Sequence, residues 1–209
     1  MKEKEAPLKM VRQAHNAERS RSNVLNFIAE AGLLKRVYRS GWSVLGIKDA
    51  ESVADHAFRC AVIGYVLAKM ERVPAYNVLL MTVFNDIHEA RITDLHKMAQ
   101  RYLDAQPAED RAFTEQISGL PREMQEELEN MRRDYTRQTS KESIIARDAD
   151  ILECLIQAKE YYEQGFSEAM KFTEKAPGYL KTKSARELWK QAKTMNLHDW
   201  WMALSEFKR

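Results

Sequence analysis

The sequence predicts a single, compact all-α domain. Three observations lead to this prediction: apolar residues recur at helical spacing along most of the chain, no segment shows the alternation of a convincing strand, and only 7 Gly and 5 Pro occur among 209 residues. So few Gly and Pro residues leave little turn chemistry for a many-stranded β fold. A chain of this length suffices for one domain with a real core, or for one domain with an appendage.

The first two helices are predicted from apolar faces and a cap. Over residues 22–37, one face carries the apolar residues Val24, Leu25, Ile28, Ala31 and Leu34. The segment ESVADHAFRCAVIGYVLAKM, residues 51–70, offers Ser52 as an N-cap and Asp55 three residues later, a weak form of the capping box. Because this segment is apolar almost all round, we expect it to form a central, buried helix.

The later helices are bounded by Pro, Ser and Gly. Pro74 precedes a helix that begins near Tyr76 and carries NVLLMTVFNDIHEA, and Pro121 stands at the first turn of PREMQEELENMRRDYTRQ. Ser140 is the predicted N-cap of KESIIARDADILECLIQAKEYYEQ, which ends at Gly165. Two or three shorter helices complete the chain, among them ARELWKQAK and HDWWMALSEF.

Composition and charge exclude several classes of protein. Hydrophobic residues make up 44% of the chain and charged residues 31%, which is typical of a globular protein and excludes a wholly disordered one. The formal net charge of +2 gives no indication of a nucleic-acid polymer as partner, although it is compatible with a small basic pocket. No Gly-rich phosphate loop, CxxC pair or GxSxG turn occurs in the sequence.

The sequence also predicts a cytoplasmic protein with no membrane partner. No apolar run approaches the roughly 20 residues that span a bilayer. The N-terminal segment MKEKEAPLKMVRQAH has charges but lacks the apolar core of a signal peptide. Both cysteines, Cys60 and Cys154, lie within apolar helical patterns, so we expect small buried residues and no disulfide.

Three predicted core helices each contribute a candidate metal ligand. His56 lies on an apolar face, where a lone histidine is more often a hydrogen-bonded core residue than a ligand. Asn85 and Asp86 directly follow the apolar run LLMTVF, and Asp150 lies near the buried stripe of its helix. Each residue alone has a structural explanation. Together, one histidine and two separated acids suit a divalent cation that accepts nitrogen and oxygen donors. Glu89, on the helix turn after Asp86, could then act on a water molecule without binding the ion.

This chain resembles the HD-domain phosphohydrolases, whose pattern is a histidine, a His-Asp pair about thirty residues later and a distant aspartate. Four segments carry the resemblance: LLKRVYRSGW, ESVADHAFRCAVIGYVLA, NDIHEARITDL and RDADILECLIQAKEY, which cover roughly residues 27–164. They are most similar to the 5′-deoxynucleotidase branch, which hydrolyses deoxynucleoside monophosphates. The resemblance implies one HD-type helical bundle over residues 1–209, in which helices of residues 165–209 pack on the core. It also implies a homodimer, a nucleotide substrate and a divalent ion such as Mn²⁺, Co²⁺ or Mg²⁺.

Transferred position by position, the resemblance implies His56, Asp86 and Asp150 as metal ligands. It implies Glu89 as the catalytic acidic residue. Asp94 matches a second acidic residue, which in such enzymes contacts the sugar or supports the attacking water.

The segment RSGW matches a part of the family that lies near the substrate phosphate, which implies Arg39 and Trp42 as substrate-binding residues. One branch of the family has an Arg directly before the Trp, whereas Gly41 occupies that place in this chain, so Arg39 is the candidate substitute. Two alternatives stay open: Trp42 could be a plain core residue, and Arg39 a surface charge.

The chain departs from the family pattern at Asn85, which stands where the HD pair has its histidine. An amide oxygen is a weaker donor than imidazole for first-row transition ions, so we expect a weakened metal site with Asn85 at its fourth position. His88 is a poor replacement, because its ring would have to displace the surroundings of Glu89.

Two functional hypotheses follow. The first is a metal-dependent 5′-nucleotidase that releases phosphate from (deoxy)nucleoside 5′-monophosphates and is weakened or inactivated by Asn85. The alternative is a catalytically silent HD scaffold that binds a nucleotide or a protein partner. A purely structural helical protein would require a coincidence of four matched segments. The metal content after purification without a chelator separates the first two.

Overall fold

The computed structural model describes residues 23–202 and residue 204, and the all-α prediction is confirmed for that part of the chain. β-type pairing of the backbone is limited there to an isolated bridge between Tyr38 and Ser52. None of the helices in the described residues combines the length and the apolar character needed to cross a membrane.

Helices follow one another through the described residues with short connections between them. In chain order they are α1 (residues 23–31), α2 (Ser40–Ser43), α3 (Val53–Met70), α4 (Ala75–Phe84), α5 (Glu89–Ile92), α6 (Lys97–Gln100), α7 (Ala105–Ile117), α8 (Arg122–Arg137), α9 (Lys141–Glu163), α10 (Ala169–Phe172), α11 (Lys183–Ala192) and α12 (Asp199–Met202). Two 3-10 helices, Gly32–Arg36 and Ala176–Tyr179, follow α1 and α10.

Helices α3, α4 and α9 pack against one another at the centre of the molecule, and α8, α10 and α11 pack on α9. Their facing sides form the main core, whose most deeply buried side chains include Val53, Leu67, Val78, Met81, Ile145, Leu152 and Leu155. Burial of one such side chain contributes about 1.5–3 kcal/mol. The central helix trio is therefore a rigid frame for any side chain that points between its members.

Two predicted caps set where the central helices begin. Ser52 Oγ accepts a hydrogen bond from Asp55 N at 3.1 Å and Asp55 Oδ2 accepts one from Ser52 N at 2.9 Å, so the capping box of α3 is confirmed. Ser140 Oγ accepts from Ser143 N at 3.0 Å, which confirms the N-cap of α9. Each such cap contributes about 1 kcal/mol and fixes the helical register of the residues that follow.

The predicted apolar face of the first helix is wrong at two positions. Leu25 and Ile28 are 65% and 59% exposed, whereas Phe27 and Ala31 pack against the core. The reason is tertiary, because the Phe27 ring stacks on the ring of Phe84 with 6.3 Å between centroids. That contact turns Phe27, and not Leu25 or Ile28, toward the core.

Helix α3 is central, as predicted, but only one of its sides is buried, which corrects the expectation of a wholly buried helix. Its partners α4, α9 and α11 cover one side. The other side leaves five large apolar residues between 40% and 74% exposed: Phe58, Val62, Tyr65, Val66 and Met70.

The predicted helix through NVLLMTVFNDIHEA is interrupted. Helix α4 ends at Phe84, residues 85–88 form a turn, and α5 starts at Glu89. Asn and Asp favour helix ends because their short side chains bond locally, and in this turn Asn85 Nδ2 donates to Asp86 Oδ1 at 2.6 Å. Gln116 of α7 also stabilises the turn, because its side-chain amide nitrogen donates to the carbonyl oxygen of residue 87 at 2.9 Å.

Candidate metal centre

His56, Asp86 and Asp150 come together where α3, the turn after α4 and α9 meet. His56 Nε2 lies 3.6 Å from Asp86 Oδ2 and 3.2 Å from Asp150 Oδ1. Nitrogen and oxygen ligands arranged tetrahedrally on one zinc-like ion are separated by about 3.4 Å. All three residues line a cavity of about 10 Å³, which is close to the size of one water molecule. The donor types, and the distance from His56 Nε2 to each aspartate, therefore fit a divalent cation.

Asp150 is oriented by its neighbours so that one oxygen faces His56. Its other oxygen, Oδ2, accepts from Arg147 Nη1 at 3.1 Å and from Tyr135 Oη at 3.4 Å. Burial opposes ionisation of Asp150, but the hydrogen bond to His56 and the charge of Arg147 hold its pKa well below the usual value. Asp150 is thus ionised, and Oδ1, the oxygen nearer His56, is the one that could bind an ion in the cavity.

Asn85 is the C-cap of α4 and lines the same cavity. Its side-chain amide nitrogen donates to Asp86 Oδ1. Asp86 therefore uses one oxygen for Asn85 and presents the other to His56. His88 lies elsewhere: its Nε2 is 3.8 Å from Glu109 Oε2 and it does not line the cavity. The structure gives His88 no position from which to replace the missing imidazole.

Glu153 orients His56, although sequence reasoning did not identify it as a site residue. Its Oε2 lies 2.5 Å from His56 Nδ1, and its Oε1 accepts from Arg59 Nε at 2.9 Å. Because Glu153 accepts from Nδ1–H, loss of the Nε2 proton on metal binding would leave the Nε2 lone pair directed toward the cavity. Burial would raise the pKa of Glu153, but His56 and Arg59 hold it below its usual value. The sequence does carry a signal for Glu153, because an acidic residue inside the apolar run ILECLI is as unusual as Asp86 beside the apolar run LLMTVF.

We expect Glu153→Gln to weaken metal binding by about 10–100-fold, because loss of the carboxylate frees the His56 ring and lowers its basicity. Competition of Mn²⁺ with a fluorescent chelator measures the change. Glu160→Gln is a matched control, since Glu160 also binds Arg59, with 2.7 Å between Oε2 and Nη1, but does not contact His56. Equal losses in both variants would mean that Glu153 acts only through Arg59.

Glu89 is a buried carboxyl group at the start of α5, with 8% of its surface exposed. Its Oε2 has no hydrogen-bond partner among the described residues. Burial, followed by the nearby charges of Asp86 and Asp94, raises the pKa of Glu89 to about 10. A buried acid with a raised pKa and a free oxygen is typical of a group that transfers a proton.

Asp94 ties the segment RSGW to the chain that follows α5. Its Oδ2 accepts from Ser40 N at 2.7 Å, and Ser40 Oγ in turn accepts from His96 N at 3.1 Å. The preceding Thr93 has a φ of 63°, a backbone conformation that costs a β-branched residue about 1–3 kcal/mol. This strained conformation of Thr93 turns the chain so that Asp94 reaches Ser40.

Arg39 lies close to the candidate metal centre. Burial alone would lower the pKa of its guanidinium. The carboxylates of Asp86, Asp94 and Asp150 more than offset burial, and they raise that pKa well above its usual value. Arg39 is therefore a fixed positive charge beside the acidic residues rather than an isolated surface charge.

Trp42 belongs to a second, smaller core. It is 2% exposed, and its indole Nε1 donates to Glu51 Oε1 at 2.9 Å. Its ring packs on Tyr161 and Phe172, with centroids 5.1 Å and 5.7 Å away. These contacts favour the core interpretation of Trp42 over direct contact with a substrate, so its effect on the site is to hold the RSGW segment in place.

Comparison with known proteins agrees with this picture. The profile of the HD domain matches residues 31–193. The 5′-deoxynucleotidase HDDC2 of Bos taurus is 29% identical over 144 residues, which are 68% of this chain and 70% of that protein. The crystal structure of a protein from Pyrococcus horikoshii has a TM-score of 0.70 and 29% identity, and the match covers 80% of this chain and 97% of that chain.

A protein from Magnetospirillum magnetotacticum, described as a predicted metal-dependent phosphohydrolase, has a TM-score of 0.69 over 85% of this chain and 92% of its own. At 18% identity its likeness concerns the fold alone. The HD domain match spans most of the chain and includes His56, Asp86 and Asp150, so the resemblance found in the sequence is confirmed. The chain therefore belongs to the HD domain family.

Proposed function

We propose that this protein is a metal-dependent phosphohydrolase that releases phosphate from (deoxy)nucleoside 5′-monophosphates. The observation that carries the proposal is the position of His56 Nε2, within 3.6 Å of carboxylate oxygens from two other segments. Membership of the HD domain family supports the metal-dependent hydrolase, and the likeness to 5′-deoxynucleotidase HDDC2 supports the substrate class. His56, Asp86 and Asp150 would hold the ion, with Asn85 at the fourth position.

The residues of the site divide the chemistry among them. When bound, a divalent ion polarises the phosphate and lowers the pKa of a nearby water molecule and of the Glu89 carboxyl. Glu89 accepts the proton of the attacking water. General base catalysis requires that this water lie within hydrogen-bond reach of the Glu89 carboxylate. Arg39 neutralises the negative charge of the phosphate in the transition state. Asp94 keeps Ser40 in place and thereby fixes the position of Arg39.

We expect Asn85→His to increase Mn²⁺ binding by about 10–100-fold or more, toward one ion per chain, because imidazole is a stronger donor than an amide. Phosphate release from deoxynucleoside monophosphates should rise with it. Elemental analysis and a phosphate assay measure the two effects. Asn77→His is a matched control, since Asn77 is an exposed residue of α4 and does not line the cavity. If the Asn85→His protein binds no more metal than the parent, Asn85 does not occupy a ligand position.

The presence of Asn85 also favours a second candidate function, that of a catalytically silent scaffold that binds a nucleotide. The hydrogen bond from Asn85 to Asp86 keeps the acidic group in place without an imidazole. A screen of the parent and Asn85→His proteins against ribo- and deoxyribonucleotides, including triphosphates, separates the two. Nucleotide binding without phosphate release in both proteins supports the scaffold. Preferential hydrolysis of triphosphates would contradict the monophosphate assignment.

A further inference from the structure

The outer side of helix α3 carries a row of apolar side chains that no described residue covers. Phe58, Val62 and Tyr65 belong to it, and they are 74%, 49% and 48% exposed. Helices α4 and α9 pack on the other side of α3, which carries buried residues such as His56 and Leu67. Single exposed apolar residues are ordinary on a protein surface, but a contiguous row of them marks an interaction surface.

The spacing of this row is that of a seam between two packed helices. Five exposed residues follow one another along α3 at intervals of three, four, three and four positions. Such alternating intervals keep side chains on one line along a helix that packs nearly lengthwise on another helix. We call these residues the α3 seam: Asp55, Phe58, Val62, Tyr65 and Lys69. The exposed residues Val66 and Met70 lie beside its second half and widen its apolar part.

The two charged residues of the α3 seam stand at its opposite ends and carry opposite signs. Asp55 precedes Val62 by seven residues and Lys69 follows it by seven, which is about 10.5 Å in each direction along the helix. Asp55 uses Oδ2 in the capping box, and the Lys69 ammonium lies over the Tyr65 ring, 5.4 Å from its centroid, so it already points along the seam.

This distribution of charge makes the α3 seam complementary to itself. A second seam laid antiparallel on the first, with Val62 against Val62, brings each Asp55 opposite Lys69 of the other copy. A parallel arrangement would instead place Asp55 against Asp55 and Lys69 against Lys69, and like charges that face each other repel. A helix that binds a membrane surface is rich in Lys and Arg, whereas this seam carries one acid and one base.

We propose that the α3 seam is an interface with a second copy of this chain, in which the two α3 helices pack antiparallel about a two-fold axis at Val62. A two-fold interface uses the same surface on both copies, so it requires a surface that is complementary to itself. Valine at the axis lets the helices approach closely, and Phe58 of each copy packs against Val66 of the other. The inference goes beyond the proposed function and does not depend on it.

A disulfide across the axis tests the arrangement directly. In the full-length Val62→Cys protein the two new thiols face each other, and copper phenanthroline with dissolved oxygen removes two protons and two electrons to join them. We expect a covalent dimer on a non-reducing gel, because a disulfide forms only where the two Cβ atoms approach to about 3.5–4.5 Å. Val83→Cys is the matched control, since Val83 is a valine of α4 that is 44% exposed and lies outside the seam.

Analytical ultracentrifugation over a range of concentrations measures the dimer without a cross-link. We expect the parent to sediment as a dimer and Val62→Asp to raise the dissociation constant by at least about 30-fold, the scale of a residue at the centre of an interface. Val83→Asp should leave the dimer intact. Lys69→Glu should weaken it less, and less again at high salt, because it opposes Asp55 of the other copy with a like charge. Circular dichroism identifies a variant that has lost its fold.

Several results would overturn the interface. A parent that stays monomeric, or a dimer that survives Val62→Asp, means that the two copies do not meet at the α3 seam. Equal cross-linking of Val62→Cys and Val83→Cys means random collision. A dimer that dissociates in Val62→Asp but does not cross-link in Val62→Cys contradicts the antiparallel arrangement. Binding of a monomeric parent to anionic lipid vesicles, lost in Val62→Asp, would identify a membrane surface as the occupant instead.

Discussion

Glu89→Gln, made in the Asn85→His protein, is expected to retain the metal and to lower phosphate release by about 10²–10⁴-fold, the scale of a lost general acid–base group. The physical reason is that Glu89 is a buried carboxyl whose pKa burial and the charges of Asp86 and Asp94 raise to about 10, and that a bound ion would lower this pKa so that the carboxylate can accept a proton from water. Gln keeps the shape of the side chain but cannot accept a proton. Metal content and the rate of phosphate release are measured on the same samples.

Glu109→Gln provides the control for this result. Glu109 is also a partly buried acid whose pKa is raised, first by burial, but its neighbours are His88 and Arg132 rather than the cavity. We expect it to change neither metal content nor rate by more than a small factor. If Glu89→Gln loses the ion as well as the rate, Glu89 is a ligand and its assignment as a proton acceptor is wrong.

Asp150→Ala is expected to remove metal binding and phosphate release together. Asp150 presents an oxygen 3.2 Å from His56 Nε2, and no other residue of α9 that lines the cavity carries an ionisable group. The increase in melting temperature on adding an ion should also disappear, because a ligand present at 100 times its dissociation constant stabilises the folded state by about 2.7 kcal/mol. Calorimetry with and without Mn²⁺, beside elemental analysis, measures both effects.

Asp148→Asn separates loss of the ion from damage to α9. Asp148 is fully buried two residues before Asp150, but its oxygens accept from Lys181 N at 2.8 Å and Thr182 N at 2.6 Å. It therefore holds the start of α11, and its variant should lower stability while keeping the shift in melting temperature caused by the ion. Retention of one ion per chain by Asp150→Ala would exclude Asp150 as a ligand.

Much of the frame could be predicted from the sequence, because it depends on local signals. Ser52 and Ser140 are caps that act within three residues, and His56 and Asp150 are polar residues inside apolar helical stripes. The end of the helix at Phe84 could not be predicted in this way, since periodicity continues through the segment. It depends on the hydrogen bonds of the turn that follows.

The features that sequence reasoning missed depend on distances across the fold. The contact of Phe27 with Phe84 decides which face of α1 is buried, and no pattern within α1 records it. Trp42 lies in a segment that the family places near the phosphate, and only its neighbours show that it is packed in a core.

The spacing of the acids on α9 limits how this chain can change over evolutionary time. Asp148, Asp150 and Glu153 share one continuous helix, yet each serves a different neighbour: the start of α11, the cavity and His56. Each residue of an α-helix advances the direction of its side chain by about 100°. One inserted or deleted codon between residues 148 and 153 would therefore misdirect at least one acid, whereas many single substitutions elsewhere on the helix leave all three in register. Lineages of this gene should accumulate replacements in α9 far more readily than changes in its length.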